Sequence, residues 1–109
     1  MNNYTKIQKY SDHIRYLNDQ NQWHRTDGPA FEWIDGVKEW FLNGRRHRTD
    51  GPAIEWDNGS KAWYIDGLRH RTDGPAIEHP DGSKFWYIND KYYSEKQFNY
   101  HVKTYFLFL

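Results

Sequence analysis

The chain has 109 residues, 15 Lys and Arg against 15 Asp and Glu, and no cysteine. This is enough for one small domain, with no disulfide or thiolate metal site to staple it, as expected of a reducing compartment such as the cytoplasm. Balanced charge excludes a general duplex nucleic-acid binder, which needs uncompensated basic surface, and no apolar run approaches the length of a membrane span.

Aromatics make up 19% of the chain while aliphatics are scarce. That balance points to a mainly β protein held by large flat side chains. The opening MNNYTKIQKYSD is polar, with no apolar core of a signal peptide. KIQKYSDHIRYL then reads as a degenerate half repeat. RYLNDQNQWHRTDG follows, with two extra residues between Leu17 and His24 relative to the later WFLNGRRHRTDG.

The heptapeptide HRTDGPA occurs at 24–30, 47–53 and 70–76, a constant spacing of 23. A fixed period in the low twenties is the signature of a repeat architecture. The blocks fall at about 17–39, 40–62 and 63–85, within a repeat domain 1–93 with partial repeats at both ends. Each holds two turn signals. Asn43-Gly44 and Asp66-Gly67 form one set; Asp35-Gly36, Asn58-Gly59 and Asp81-Gly82 form the other. Both dipeptides suit two-residue hairpins. Pro29, Pro52 and Pro75 cannot donate to a ladder and mark a bend or strand start.

The expected fold is a single twisted meander of antiparallel hairpins. A two-residue turn at Asn58-Gly59 sets Trp56 opposite Lys61, Glu55 opposite Ala62, and Ile54 opposite Trp63. One face then carries Ile54, Trp56, Trp63, Ile65 and His70. The other carries Ala53, Glu55, Ala62, Tyr64 and Arg71.

Past Trp86 the pattern departs into YYSEKQFNYHVKTYFLFL. Ser94 and Gln97 form a capping box, and Phe98, Val102, Tyr105 and Phe106 share one helical stripe. A short capping α-helix is predicted over about 95–106 within segment 94–109, closing the open end of the sheet.

His24, His47 and His70 do not form a metal ladder. Copies two strands apart lie about 9–10 Å from each other, too far to share an ion, so a structural role is expected, with a ring nitrogen bonded to backbone or a neighbouring Asp. Asp27, Asp50 and Asp73 precede Gly-Pro and suit a turn that accepts backbone N–H groups. Trp40, Trp63 and Trp86 open the repeats. Arg25, Arg48 and Arg71 leave two readings open. They pair internally with Glu32, Glu55 and Glu78, or they form a cationic stripe for an anion or partner, with Phe41, Tyr64 and Tyr87 as flat stacking partners. Equivalent copies along a sheet offer a surface rather than one pocket of converging groups, so no enzyme is expected and no cofactor or metal.

The block W-Y-x-N/D-G-x-x-H-x-x-D-G-P-A-x-x-x-x-x-G-S resembles MORN repeats, which form stacked β-hairpins, and is similar to YwqK-type bacterial repeats. It looks closer still to phage and large-virus proteins carrying W-Y-x-N-G-x-x-H-R-x-D-G-P-A arrays that end in a short helix. The resemblance spans roughly residues 14–98. It implies a MORN-like repeat array acting as a binding module, with a host protein as partner, inhibited by occlusion, such as a defence component. The alternatives are a sponge for a small anionic signalling nucleotide and a structural or assembly scaffold. An open sheet edge and many aromatics make a homodimer a further expectation.

Overall fold

The computed structural model describes residues 4–105. Alternation of apolar and polar residues between Gly-containing turns drives these residues into short strands. In chain order they are β1 (Lys6–Lys9), β2 (His13–Leu17), β3 (Phe31–Trp33), β4 (Lys38–Glu39), β5 (Phe41–Leu42), β6 (Arg45–Arg46), β7 (Ile54–Glu55), β8 (Lys61–Ala62), β9 (Tyr64–Ile65), β10 (Leu68–Arg69), β11 (Ile77–Glu78), β12 (Lys84–Ile88) and β13 (Lys91–Tyr93). One helix, α1 (Glu95–Tyr105), follows. The described protein is mainly β and antiparallel, with extents of 44 × 32 × 18 Å.

The expected single sheet is corrected in one respect. Nine strands form one meander in the order β1-β2-β3-β4-β7-β8-β11-β12-β13, while β5-β6 and β9-β10 stand apart as separate hairpins. The reason lies at Trp40 and Trp63. The Trp40 N–H donates to Ala53 O across the main sheet (2.7 Å), while its own carbonyl accepts from His47 N–H in the hairpin (3.1 Å). Trp63 repeats this with Ala76 O and His70 N–H. Each tryptophan is a junction where the chain leaves one ladder for another. In β12 the two halves run as one strand: Phe85 pairs with Ile77 of the sheet, and Trp86 pairs with Tyr93 of the last hairpin.

The two turn sets also differ. Asn43-Gly44 and Asp66-Gly67 hold positive φ at both residues (49° and 83°; 50° and 82°). They close two-residue hairpins, with Ile65 opposite Leu68, as expected of a type I′ turn. At Asn58-Gly59 only the glycine has positive φ, 92°. The Gly59 N–H donates to Trp56 O and the Trp56 N–H to Ser60 O. This is a three-residue loop, a type I turn completed by a left-handed glycine. It moves the expected register by one: Glu55 faces Lys61 and Ile54 faces Ala62. Asn58 Oδ1 accepts the Ser60 N–H (2.8 Å), and Asp35 and Asp81 do the same for Val37 and Ser83. Gly82 isolates the backbone cost of this loop, because nothing lies within 4 Å of an added Cβ and φ is +92°. Gly82→Ala is expected to lower stability by about 1–2 kcal/mol, read from urea unfolding midpoints.

The corrected register sorts the two faces. Across the sheet Glu32, Lys38, Glu55, Lys61, Glu78 and Lys84 stand opposite one another in turn. Opposite charges on directly facing positions are mutually stabilising. The other face carries Phe31, Ile54 and Ala62, all buried, and the exposed end of this face carries Trp33, Trp56 and His79. Ala30, Ala53 and Ala76, the last letters of the heptapeptide, are fully buried. A larger side chain at these positions would have to be accommodated inside the protein rather than in solvent.

The helix begins as its sequence predicts. Ser94 Oγ accepts the Gln97 N–H (3.1 Å), and Gln97 Oε1 accepts the Ser94 N–H (3.0 Å). Phe98 is buried, with its ring 6.4 Å from that of Trp86. Val102 is half-buried. The Tyr105 side chain and Phe106, the rest of the predicted stripe, lie outside the described residues.

Candidate functional site

The three HRTDGPA arginines sit in one recurring cage. Arg48 Nε donates to Asp50 (2.9 Å), and its Nη1 donates both to Pro52 O (3.0 Å) and to Glu55 (3.1 Å). Arg71 repeats the set on Asp73, Pro75 O and Glu78 at 2.8, 3.0 and 2.9 Å. Arg25 does so more loosely, at 2.7 Å to Asp27 but 3.3 and 3.5 Å to Pro29 O and Glu32. The guanidinium is also clamped between two flat surfaces. Arg48 lies 3.9 Å over the Trp40 ring and Arg71 3.8 Å over Trp63, while Arg25 lies 4.0 Å over Tyr16. On the opposite side is glycine. A Cβ on Gly28, Gly51 or Gly74 would come within 2.9, 2.9 or 2.8 Å of the guanidinium carbon. The invariant Asp-Gly-Pro therefore does more than bend the chain, because its glycine makes room for the arginine three residues earlier.

Of the two readings of these arginines, internal pairing with Glu32, Glu55 and Glu78 is the one the geometry contains. The arginines also take Asp27, Asp50 and Asp73 as partners, where the sequence suggests a turn closed onto backbone N–H groups. The guanidinium bond is the main reason that the Asp27 and Asp50 carboxyls are held below the usual carboxylate range. The three aromatic residues expected beside Arg25, Arg48 and Arg71 as stacking partners for a ligand have ring contacts with other side chains. Phe41 is buried, edge-on to Trp23 and 5.4 Å from the Arg46 guanidinium. Tyr64 lies 5.6 Å from Arg46, and Tyr87 lies 4.0 Å from Arg69. Their backbones do adjoin the caged arginines, because the Arg25, Arg48 and Arg71 N–H groups donate to Phe41, Tyr64 and Tyr87 O at 3.1, 3.1 and 3.2 Å.

The histidines link one block to the next. His24, His47 and His70 Nδ1 accept the N–H of Asn43, Asp66 and Asn89, each 19 residues on, at 2.9, 3.1 and 3.0 Å. Each of those donors has positive φ, at the first position of the following hairpin turn. An accepting Nδ1 requires the proton, where the ring is neutral, on Nε2. Burial pushes the His70 imidazole below its ordinary value of 6.5. The unfolded chain therefore binds this proton first as pH falls. The His70 contribution is fully present above about pH 6.5 and is lost as pH drops through the lower folded value. Unfolding free energy measured between about pH 5 and 8 is expected to fall at the acid end, and His70→Gln is expected to flatten that step.

Two equivalent grooves lie between successive heptapeptides. One, of about 460 Å³, is bounded by Arg25, Asp27, Trp40, His47, Arg48 and Asp50. The next, of about 620 Å³, is bounded by the residues 23 positions on. Their arginines and aspartates are bonded to one another, as described above. Among the described residues, no three His, Asp or Glu side chains are grouped as a metal ion requires.

Neither a family model, nor a curated protein, nor a solved structure matches the chain. Among the described residues no helix is long and apolar enough to cross a membrane.

Sequence reasoning missed a third groove, of about 570 Å³, between β13 and α1. It is lined by Lys91, Tyr92, Tyr93, Lys96, Tyr100 and His101, together with Gln97 of the capping box. The signal was present in part: Lys96 and Tyr100 lie one helical turn apart, on the side of α1 away from Phe98. What the spacing lacks is the partner strand, which packing alone supplies.

Proposed function

We propose that the chain is a non-enzymatic binding module, a MORN-like array of hairpins that works by covering a protein partner. The partner class suggested by the phage and large-virus resemblance is a host protein, held by the aromatic face of the main sheet and blocked by occlusion. The observation that carries this reading is the division of the two sheet faces. On the Glu/Lys face glutamates and lysines alternate in register, and the glutamates are bonded to the caged arginines. On the opposite face Trp33, Trp56 and His79 recur every 23 residues, beside Phe85. Trp56 and Phe85 are 37% and 38% exposed, and Ile34 at the same edge is 81% exposed. Exposed aromatic surface of this kind is costly in water and is typical of interface anchors.

The test is capture from host lysate with the intact chain and with a Trp56→Asp, Ile34→Asp double variant, both checked for folding by unfolding midpoint. A stoichiometric protein partner held by the intact chain and lost by the folded double variant supports the reading. Equal capture by both, or no stoichiometric partner, contradicts it.

A further inference from the structure

The groove between β13 and α1 has a chemistry distinct from the rest of the surface. Its volume of about 570 Å³ falls within the roughly 300–1,000 Å³ usual for small-molecule sites. Its walls are aromatic and cationic. Tyr92 is 56% exposed and held edge-on to Tyr87, with ring centroids 5.6 Å apart at 71°. Tyr100 is 69% exposed. Tyr93 and His101 meet at 5.1 Å deeper along the groove. Lys91 Nζ lies 5.4 Å over the Tyr93 ring. Lys96 sits one helical turn before Tyr100 on the same side of α1.

Among the described residues no carboxylate lines this groove. The nearest acidic residues in sequence are accounted for. Asp90 is bonded to Arg69 at 2.5 Å, and Glu95 lies in the first turn of α1, where it complements the helix dipole. Two ammonium groups therefore stand beside exposed phenol rings, with no carboxylate among the described lining residues. The arginine cages are the reverse case, each closed by two carboxylates. Flat rings that stack and lysines that attract negative charge together select a ligand with an aromatic ring and an anionic group.

We propose that the groove between β13 and α1 binds a nucleoside monophosphate, with the base laid on Tyr92 or Tyr100 and the phosphate between Lys91 and Lys96. This site is separate from the aromatic sheet face proposed for a protein partner. Its occupancy does not depend on that reading.

The test is an NMR titration of the intact chain with AMP, with adenosine, and with inorganic phosphate. AMP is expected to bind saturably and to shift the amides of residues 91–101. Adenosine and phosphate alone are each expected to bind at least about tenfold more weakly. The Lys91→Ala, Lys96→Ala double variant changes only exposed side chains. It is expected to keep its unfolding midpoint and to weaken AMP at least about tenfold. Tyr100→Ala is expected to weaken AMP without altering the response to inorganic phosphate. The proposal is overturned if millimolar AMP gives no saturable shift, or if adenosine binds as well as AMP. It is equally overturned if the double lysine variant binds AMP as the parent does, or if the shifts map to the grooves between the heptapeptides.

Discussion

Arg48→Ala is expected to lower the unfolding free energy by about 2–3 kcal/mol, measured by urea denaturation. The side chain is only 20% exposed and its bonds to Pro52 O and Glu55 are short. A bond made by a charged group contributes about 1.5–3 kcal/mol, and the stack on Trp40 adds about 0.5–1 kcal/mol. The bond to Asp50 adds little, because that carboxylate is 84% exposed and screened by solvent. Removal takes the side-chain donor from buried Pro52 O and the cation from beside half-buried Glu55, which is where most of the loss arises. The three copies are expected to rank by geometry. Arg71→Ala should match Arg48→Ala, and Arg25→Ala should cost less. Its bonds to the proline carbonyl and glutamate are 3.3 and 3.5 Å, and Tyr16 replaces tryptophan beneath it.

Phe98→Ala is expected to cost about 3–4 kcal/mol, within the range for truncating a buried phenylalanine. Among the described residues of α1, Phe98 alone is buried. An 11-residue helix is marginal without tertiary packing, so losing this buried ring weakens the hold of α1 on β12 and β13. The loss should be local at first. Hydrogen exchange is expected to speed up in α1 and β13 well before it does in β7 and β8. Uniform acceleration throughout the sheet would show that the helix is part of the central cooperative unit rather than a cap on its edge.

The two turn sets mark where the sequence was legible and where it was not. Asn43-Gly44 and Asp66-Gly67 could be read because a two-residue hairpin demands positive φ at both positions. Asn58-Gly59 is the same dipeptide, yet Asn58 keeps an ordinary φ and spends its side chain on the Ser60 N–H. Dipeptide identity does not distinguish the two, and a one-residue error there exchanged the face of every residue beyond the turn. The capping box was legible because its bonds are local. The Arg48–Glu55 pair was legible because both residues recur with the same period. The Gly51 contact and the Trp40 stack were hidden, since they depend on the break at Trp40 that separates sheet from hairpin. The groove between β13 and α1 was hidden for a related reason: half of it belongs to a strand and half to a helix, and only their packing brings Lys91 near Lys96.

HRTDGPA is a frame element. Its arginine is a planar fork clamped between glycine and tryptophan and spent on three acceptors. The most direct test is urea unfolding of Arg48→Lys, which keeps the positive charge but removes the fork and the flat face. The frame reading predicts that lysine fails to substitute, with a loss of at least half that of Arg48→Ala. An unfolding free energy within about 0.5 kcal/mol of the parent, the size of an ordinary surface change, would contradict it. Charge alone would then be what the position requires.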